Sequence, residues 1–249
     1  MSDAVITVKN LTMAYGDFVV QRDLNFTVNR GDIFIIMGGS GCGKSTLMNH
    51  LVGLNRPETG QIFYGDESYW DEDTAGQHRL KLHFGVMYQS GAMWSSMTLA
   101  ENISLLLEQY TDLDAGRIRR VASLKLALVG LAGFEDYYPS EISGGMLKRA
   151  GIARAMAMDP DILFFDEPSA GLDPISSKNL DDLILELRDS LGTTMVVVTH
   201  ELASLFAIGN NSVFLDAGAK TMIAQGDPHT LLKECKDSVV RAFLTRGES

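Results

Sequence analysis

The fold is decided by the stretch Gly38-Gly39-Ser40-Gly41-Cys42-Gly43-Lys44-Ser45-Thr46. An apolar run (33–37, Ile-Phe-Ile-Ile-Met) precedes it, and an amphipathic run (47–54) follows it. This order predicts a buried strand, a glycine loop and then a helix. Glycines let the backbone curl so that successive N–H groups point inward, and the start of the helix adds the positive end of its dipole. The stretch therefore predicts a socket for a polyphosphate.

Two side chains in this socket have predicted roles. Lys44 is expected to reach the β- and γ-phosphates, and the hydroxyl of Ser45 is expected to bind the magnesium ion that bridges them. A glycine-rich turn that fits the pattern by chance is the alternative. The buried strand before the loop and the helix after it favour the phosphate site.

Composition narrows the class of protein. The chain of 249 residues is long enough for one large domain, or for one domain with an inserted lobe. Its two cysteines, Cys42 and Cys235, are far apart and match no metal-ligand spacing, which favours a reduced cytoplasmic compartment. Cys42 is either a small filler residue or an oxidation-sensitive thiol.

Charge and hydropathy exclude two further classes. A formal net charge of −11 argues against a nucleic-acid surface, which needs a basic stripe. No apolar run has the length of a membrane span, and the N-terminus lacks the features of a signal peptide. We therefore expect any membrane role to come through a partner.

Before the glycine loop, residues 5–9 and 24–28 have the composition of strands and are separated by a turn signal at Tyr15-Gly16-Asp17. They predict an antiparallel pair at a sheet edge. Tyr15 is either a packing residue or an aromatic ring placed to stack on a purine.

Three later strand candidates end in polar residues. Residues 84–88 are followed by Gln89, 161–165 by Asp166-Glu167, and 194–198 by Thr199 and then His200. Ligands of parallel sheets bind at the carboxyl ends of the strands, so these residues are expected beside the glycine loop.

Each of these residues has a possible function at a nucleotide. Gln89 is placed to approach the metal and the attacking water, and Asp166 to hold magnesium through its water shell. Glu167 is placed to orient or deprotonate a water, and His200 to contact the γ-phosphate. For the two acids, a helix cap with a spare carboxylate is the alternative.

Helical periodicity dominates residues 98–158, which predicts an inserted helical lobe between two parts of a core lobe, 1–97 and 159–249. Within this lobe, Ser143, Gly144 and Gly145 open a helix and predict a second anion-binding helix N-terminus. Met93, Trp94 and Met97, which follow Gln89, are either ordinary core residues or the lining of a groove for a partner.

Taken together, these motifs in this order resemble the ATP-binding cassette (ABC) ATPase family. The most diagnostic part is Ser143-Gly144-Gly145 shortly before the strand that ends in Asp166-Glu167. The resemblance spans the whole chain and implies a single α/β nucleotide-binding domain, 1–249. The implied fold is a P-loop NTPase (RecA-like) core with an antiparallel β edge and an inserted α-helical subdomain.

The resemblance also implies roles for individual residues. It implies ATP and Mg²⁺ as ligands, Tyr15 as the residue that stacks on adenine, and Gln89 as a sensor of the nucleotide near the metal. It makes Glu167 the general base and His200 the switch histidine, with Lys44 as the third catalytic group. Members act as head-to-tail homodimers, so Ser143–Gly145 would close over ATP held by the other copy.

Three positions depart from the commonest family pattern, namely Ile142, Met146 and Ala170-Gly171. Met146 and the residues after Gln89 resemble the ATPases of the Mla and MCE lipid transport systems. That implies a phospholipid transporter with an integral permease and an MCE-domain protein, and a place on the cytoplasmic face of the inner membrane. Another ABC importer or exporter, or an ABC ATPase without a membrane partner, is the alternative.

Overall fold

The computed structural model describes residues 3–89 and 91–246. Strands β1 to β10 span Ala4–Tyr15, Phe18–Asn29, Ile33–Gly38, Thr59–Tyr64, Glu67–Ser68, Phe84–Met87, Ile162–Asp166, Thr194–Val198, Asn211–Asp216 and Thr221–Gln225. Helices α1 to α9 span Lys44–Leu51, Thr74–Lys81, Leu99–Tyr110, Ala115–Leu128, Gly144–Ala155, Pro174–Leu191, Leu202–Ile208, Pro228–Glu234 and Ser238–Leu244. A 3₁₀ helix at Pro139–Glu141 lies just before α5. Within these ranges, every helix is too short or too polar to cross a membrane.

Two sheets form the framework. The larger has the strand order β10-β9-β3-β8-β7-β6. Strands β9, β3, β8, β7 and β6 are parallel, and β10 pairs antiparallel with β9. The smaller sheet, β2-β1-β4-β5, is antiparallel. The parallel strands place the residues that follow β3, β6, β7 and β8 along one edge of the larger sheet.

The larger sheet separates two hydrophobic cores. Ile33 and Ile35 of β3 face the core that contains α3, α5 and α6, whereas Phe34 and Ile36 face the core that contains α1 and the smaller sheet. Because side chains alternate along a strand, a continuously apolar run is needed where both faces are buried. The apolar runs in the sequence identified these central strands for that reason.

The predicted antiparallel pair forms, but it differs in length and place from the expectation. Strands β1 and β2 pair over most of their length, and they belong to the separate smaller sheet. Their buried residues, including Ile6 and Val28, cover α1 and one face of the larger sheet. A main-chain hydrogen bond from Arg22 N–H to Lys220 O, 2.9 Å long, links β2 to the turn before β10.

Helices α3, α4 and α5 lie between β6 and β7 in the chain, as the periodicity predicted. Polar side chains cap two of them, and the cap at Ser143 is at the helix start that the sequence predicted. Asp114 accepts a hydrogen bond from Arg117 N–H, and Ser143 accepts one from Met146 N–H. Helix α6 likewise begins at Pro174, where Asp173 is the cap, and α7 was not predicted. The division into lobes at residues 98 and 158 stays a prediction.

Candidate active site

One cleft of about 640 Å³ lies at the carboxyl ends of the central strands. It brings together the glycine loop, Tyr15, Gln89, Glu167 and His200, which come from distant parts of the sequence. The lining also includes Phe18, Val20, Phe243 and Arg246. The structure therefore brings together in one cleft most of the site residues that the sequence predicted.

Glycine is required at both ends of the loop. Gly38 has a φ of +146°, and a Cβ there would lie 2.3 Å from the main-chain oxygen of Leu215. Gly43 has a φ of +98°, and a Cβ there would lie 2.7 Å from Cγ1 of Val20. Both the backbone conformation and the space exclude larger residues. The loop can thus approach β2 and β9 closely while α1 begins at Lys44.

Lys44 places its positive charge inside the loop. Its Nζ donates to the main-chain oxygens of Gly38 and Gly39, both at 3.0 Å. An ammonium group has three donors, so one remains for an oxygen of a bound anion. The positive charge, the loop and the start of α1 together make this end of the cleft suited to phosphate groups.

The side chain of Cys42 does not reach the cleft. It is buried and packs beside Gly38, and burial raises the pKa of its thiol. This geometry supports the filler interpretation, and a nucleotide could meet only the main chain at this position. Gln21, which the sequence analysis missed, donates to Cys42 O at 2.7 Å and to Asp216 O at 3.0 Å. Its position directly after the apolar residues Phe18, Val19 and Val20 is the signal that could have found it.

Oxygen donors for a metal lie beside the loop. The hydroxyl of Ser45 donates to Oδ1 of Asp166 over 3.2 Å, and burial raises the pKa of that carboxyl group. A hydroxyl and one carboxylate suit Mg²⁺, which keeps several waters and shares phosphate oxygens. In the described part of the chain, no group of three or more His, Cys, Asp or Glu side chains is arranged to hold a metal ion. The donor set therefore fits a metal that arrives with the nucleotide.

Glu167 and His200 form a pair in the cleft. Nδ1 of His200 lies 2.7 Å from Oε1 of Glu167, and the side chain of Glu167 is 12% exposed, compared with 60% for His200. The second carboxylate oxygen, Oε2, is buried and has no hydrogen-bond partner among the described residues. Glu167 has a φ of +51°, and its N–H donates to Val198 O at 2.9 Å. One oxygen is thus held by the histidine at the cleft, and the other is enclosed by the protein.

The C-terminal helix contributes to the cleft, although nothing in the tail suggested a site. Phe243 and Arg246 line its wall, and the Arg246 guanidinium lies 5.6 Å from the centre of the Phe243 ring. No motif marks these residues in the sequence. Only the packing of α9 beside the loop places them there.

Ser143 and Gly145 do not reach this cleft. They line a separate pocket of about 450 Å³ with Arg149, Ser176 and other residues of α4 and α6. Within one chain, the second helix N-terminus therefore lies apart from Lys44 and Glu167.

Comparison with known proteins agrees with this geometry. The sequence profile of the ABC transporter family matches residues 21–170. The chain belongs to the ABC transporter family. It is an ATP-binding cassette, an ATPase whose hydrolysis of ATP is coupled to transport. The predicted family, fold class and enzymatic activity are confirmed.

Two relatives are similar to this cassette over nearly its whole length. The intermembrane phospholipid transport system ATP-binding protein MlaF of Haemophilus influenzae is 36% identical over 100% of this chain and 93% of its own. The probable ribonucleotide transport ATP-binding protein mkl of Mycobacterium bovis is 36% identical over 96% of this chain and 66% of its own. The two relatives carry different transport assignments at the same identity.

Among solved structures, a dimeric post-hydrolysis state of the ATP-binding cassette MJ0796 with ADP and Pi is similar to this cassette. The TM-score is 0.79 at 27% identity, over 89% of this chain and 98% of that one.

Proposed function

We propose that this cassette is the ATP-hydrolysing subunit of a bacterial transporter that moves phospholipid between envelope membranes. The observation that carries the proposal is the match to MlaF over the full chain, combined with an intact site. The loop, Lys44, Glu167 and His200 meet in one cleft. A protein that only bound nucleotide would not need a carboxylate paired with a histidine beside the phosphate socket.

In the proposed mechanism, the loop amides and Lys44 bind the phosphates of ATP. Ser45 and Asp166 would hold Mg²⁺, which supplies charge neutralisation at the phosphates when it is bound. Glu167 accepts a proton from the attacking water, while His200, bonded to Oε1, fixes the carboxylate. Tyr15, exposed on the cleft wall, offers a ring face to adenine.

A homodimer completes the site in this proposal. Ser143–Gly145 of one copy would close over ATP held by the other, because these residues lie outside the cleft of their own chain. The dimeric state of MJ0796 supports this arrangement.

In this proposal, a permease holds the cassette at the membrane. The cassette then lies on the cytoplasmic face of the inner membrane. Trp94 is 56% exposed, whereas Met93 packs on the core. The side chain of Asn102 fixes this segment, because it bonds to Trp94 N–H and O and to Met97 O. We propose that Trp94 and Met97 contact the permease, and that an MCE-domain protein carries the lipid. The formal net charge of −11 argues against nucleic acid as a partner.

Transport of a ribonucleotide is the second candidate, because mkl is as similar as MlaF in identity. One experiment separates the two. The tagged cassette is purified from membranes of its host, and the membrane proteins that accompany it are identified and reconstituted in vesicles. We expect a permease and an MCE-domain protein, and transfer of a fluorescent phospholipid that needs ATP and is lost with Glu167→Gln. ATP-dependent uptake of a ribonucleotide without lipid transfer would refute the lipid assignment.

A further inference from the structure

A buried lysine lies behind the site and makes no ion pair within the described ranges. Lys148, in the second turn of α5, is 8% exposed. Its ammonium group donates to the main-chain oxygen of Gln89, and to that of Glu167 at 3.3 Å. Burial lowers the pKa of Lys148, and the nearby carboxylates of Glu167 and Asp166 oppose that shift. A buried cation bound to two carbonyls is unusual enough to need an explanation.

The two carbonyls belong to residues at the site. Gln89 follows β6 and lines the cleft, and Glu167 follows β7 and holds the carboxylate described above. Lys148 therefore connects two loops of the site to one helix. That helix begins with the Ser143–Gly145 segment, which lies outside the cleft.

Helix α5 also contacts the segment after Gln89 at two further places. A Cβ on Gly151 would lie 3.2 Å from Cα of Gly91, so helix and segment are in close contact. The guanidinium of Arg154 donates to Ala92 O, and Ala92 has a φ of +50°. Because the segment is held at three successive turns of one rigid helix, it must follow when the helix moves.

We propose that Lys148 is a positioning residue that fastens the carbonyls of Gln89 and Glu167 to α5, so that displacement of Ser143–Gly145 changes the placement of both. The inference deepens the proposed function and rests on it. In this arrangement, contact at the start of α5 would orient Glu167 for proton transfer. Lys148 itself does not touch the nucleotide.

The test compares three variants of the full chain. Lys148→Met keeps the apolar stem and removes the donors, and Lys148→Arg keeps donors and charge. The matched control is Lys125→Met, which removes another buried lysine, 3% exposed, that pairs with Asp159 away from the cleft. The measurements are kcat and KM for ATP, the Kd for ATP, and hydrogen exchange of residues 87–92 and 165–170 without nucleotide.

We expect Lys148→Met to lower kcat roughly tenfold or more while the Kd for ATP changes by about threefold at most. Lys148→Arg should recover kcat to within about threefold of the original chain, and Lys125→Met should leave kcat within about twofold. Hydrogen exchange in both segments should rise only in Lys148→Met. If that variant does not fold, Lys148→Gln, whose shorter side chain cannot hold both carbonyls, replaces it and should show the same fall in kcat.

Two results would overturn the proposal. One is a Lys148→Met chain with kcat and exchange equal to those of the original chain. The other is an equal loss in Lys148→Met and Lys148→Arg with unchanged exchange, which would indicate packing alone. If the original chain and Lys125→Met hydrolyse no ATP, the proposed function fails, and the exchange comparison then decides the role of Lys148 by itself.

Discussion

Helix α1 follows the glycine loop and helix α5 begins with Gly144 and Gly145, and these two helix starts differ in what surrounds them. Helix α1 starts inside the cleft, with a cation, a hydroxyl and a carboxylate close by, in Lys44, Ser45 and Asp166. Helix α5 starts in a separate pocket, where Ser143 already caps its own helix. Both starts favour an anion through the same dipole. Under the proposed dimer, the first region would perform the chemistry, and the second would contact a nucleotide held by the other chain.

The largest expected effect tests the chemistry of the first region. Glu167→Gln should lower ATP turnover by roughly 10²–10⁴-fold, because the amide cannot accept the proton of the attacking water. ATP binding should persist, since the loop and Lys44 are unchanged. Phosphate release and equilibrium binding of ATP measure the two quantities. Glu108→Gln, at an exposed position of α3, is the control, and near-normal turnover by Glu167→Gln would contradict the assignment.

The next effect tests whether the two regions act across a dimer. Lys44→Ala and Ser143→Arg should each lower turnover roughly 10–10²-fold as homodimers. A mixture of the two should recover up to about a quarter of the original turnover, because half of the dimers then contain one complete site. Steady-state hydrolysis across mixing ratios measures the recovery.

The control for this mixture combines Lys44→Ala with the double variant that carries both changes, which should give no recovery. If the first mixture exchanges subunits and still shows none, then Lys44 and Ser143 do not act on one nucleotide from opposite chains. The comparison between the two helix starts would then lose its functional meaning.

The smallest expected effect is on the stability of the folded chain, through a buried carboxyl group that lies behind the first region. Asp181 of α6 is buried, and its Oδ1 has no partner within the described ranges. A hydrogen bond from the Ser204 hydroxyl partly opposes the effect of burial on the pKa of Asp181, and Oγ of Ser204 lies 3.4 Å from Oγ of Ser169. Burial raises the pKa of Asp181 from 3.8 to about 6. The folded chain therefore binds this proton more tightly than the unfolded chain, so the stabilisation is present at low pH and declines as pH rises towards 6.

Asp181→Asn should remove that dependence. At pH 8, we expect the melting temperature to rise by about 2–6 °C, because no buried charge remains. This rise in melting temperature should be about half as large at pH 5. Thermal unfolding at the two pH values measures it. The control is Asp182→Asn, at the exposed neighbour that pairs with Lys178. Asp181→Asn should change the hydrogen-exchange rates of residues 167–172 and leave those of residues 143–150 unchanged. Equal changes in both segments would place Asp181 outside the first region.

Much of the fold could be predicted, because its strongest determinants are local. The sequence predicted the apolar strand Ile33–Gly38 and the glycine loop after it. It also predicted the three strand ends that carry Gln89, Asp166-Glu167 and His200. The start of α5 after Ser143 was predicted, whereas the start of α6 at Pro174 was not, because Asp173 acts as a cap only when the chain after it turns. The separate smaller sheet was missed, since strand composition does not state which sheet a strand joins.

The sequence by itself determined the phosphate loop, the order of the parallel strands' polar ends and the family, because these depend on residue types at short spacing. The tertiary structure decided the rest. It turned Cys42 away from the cleft, brought Arg246 into its wall and joined Lys148 to Gln89 and Glu167. Those placements depend on how distant elements pack, and contacts between residues dozens of positions apart leave no local pattern in a single sequence.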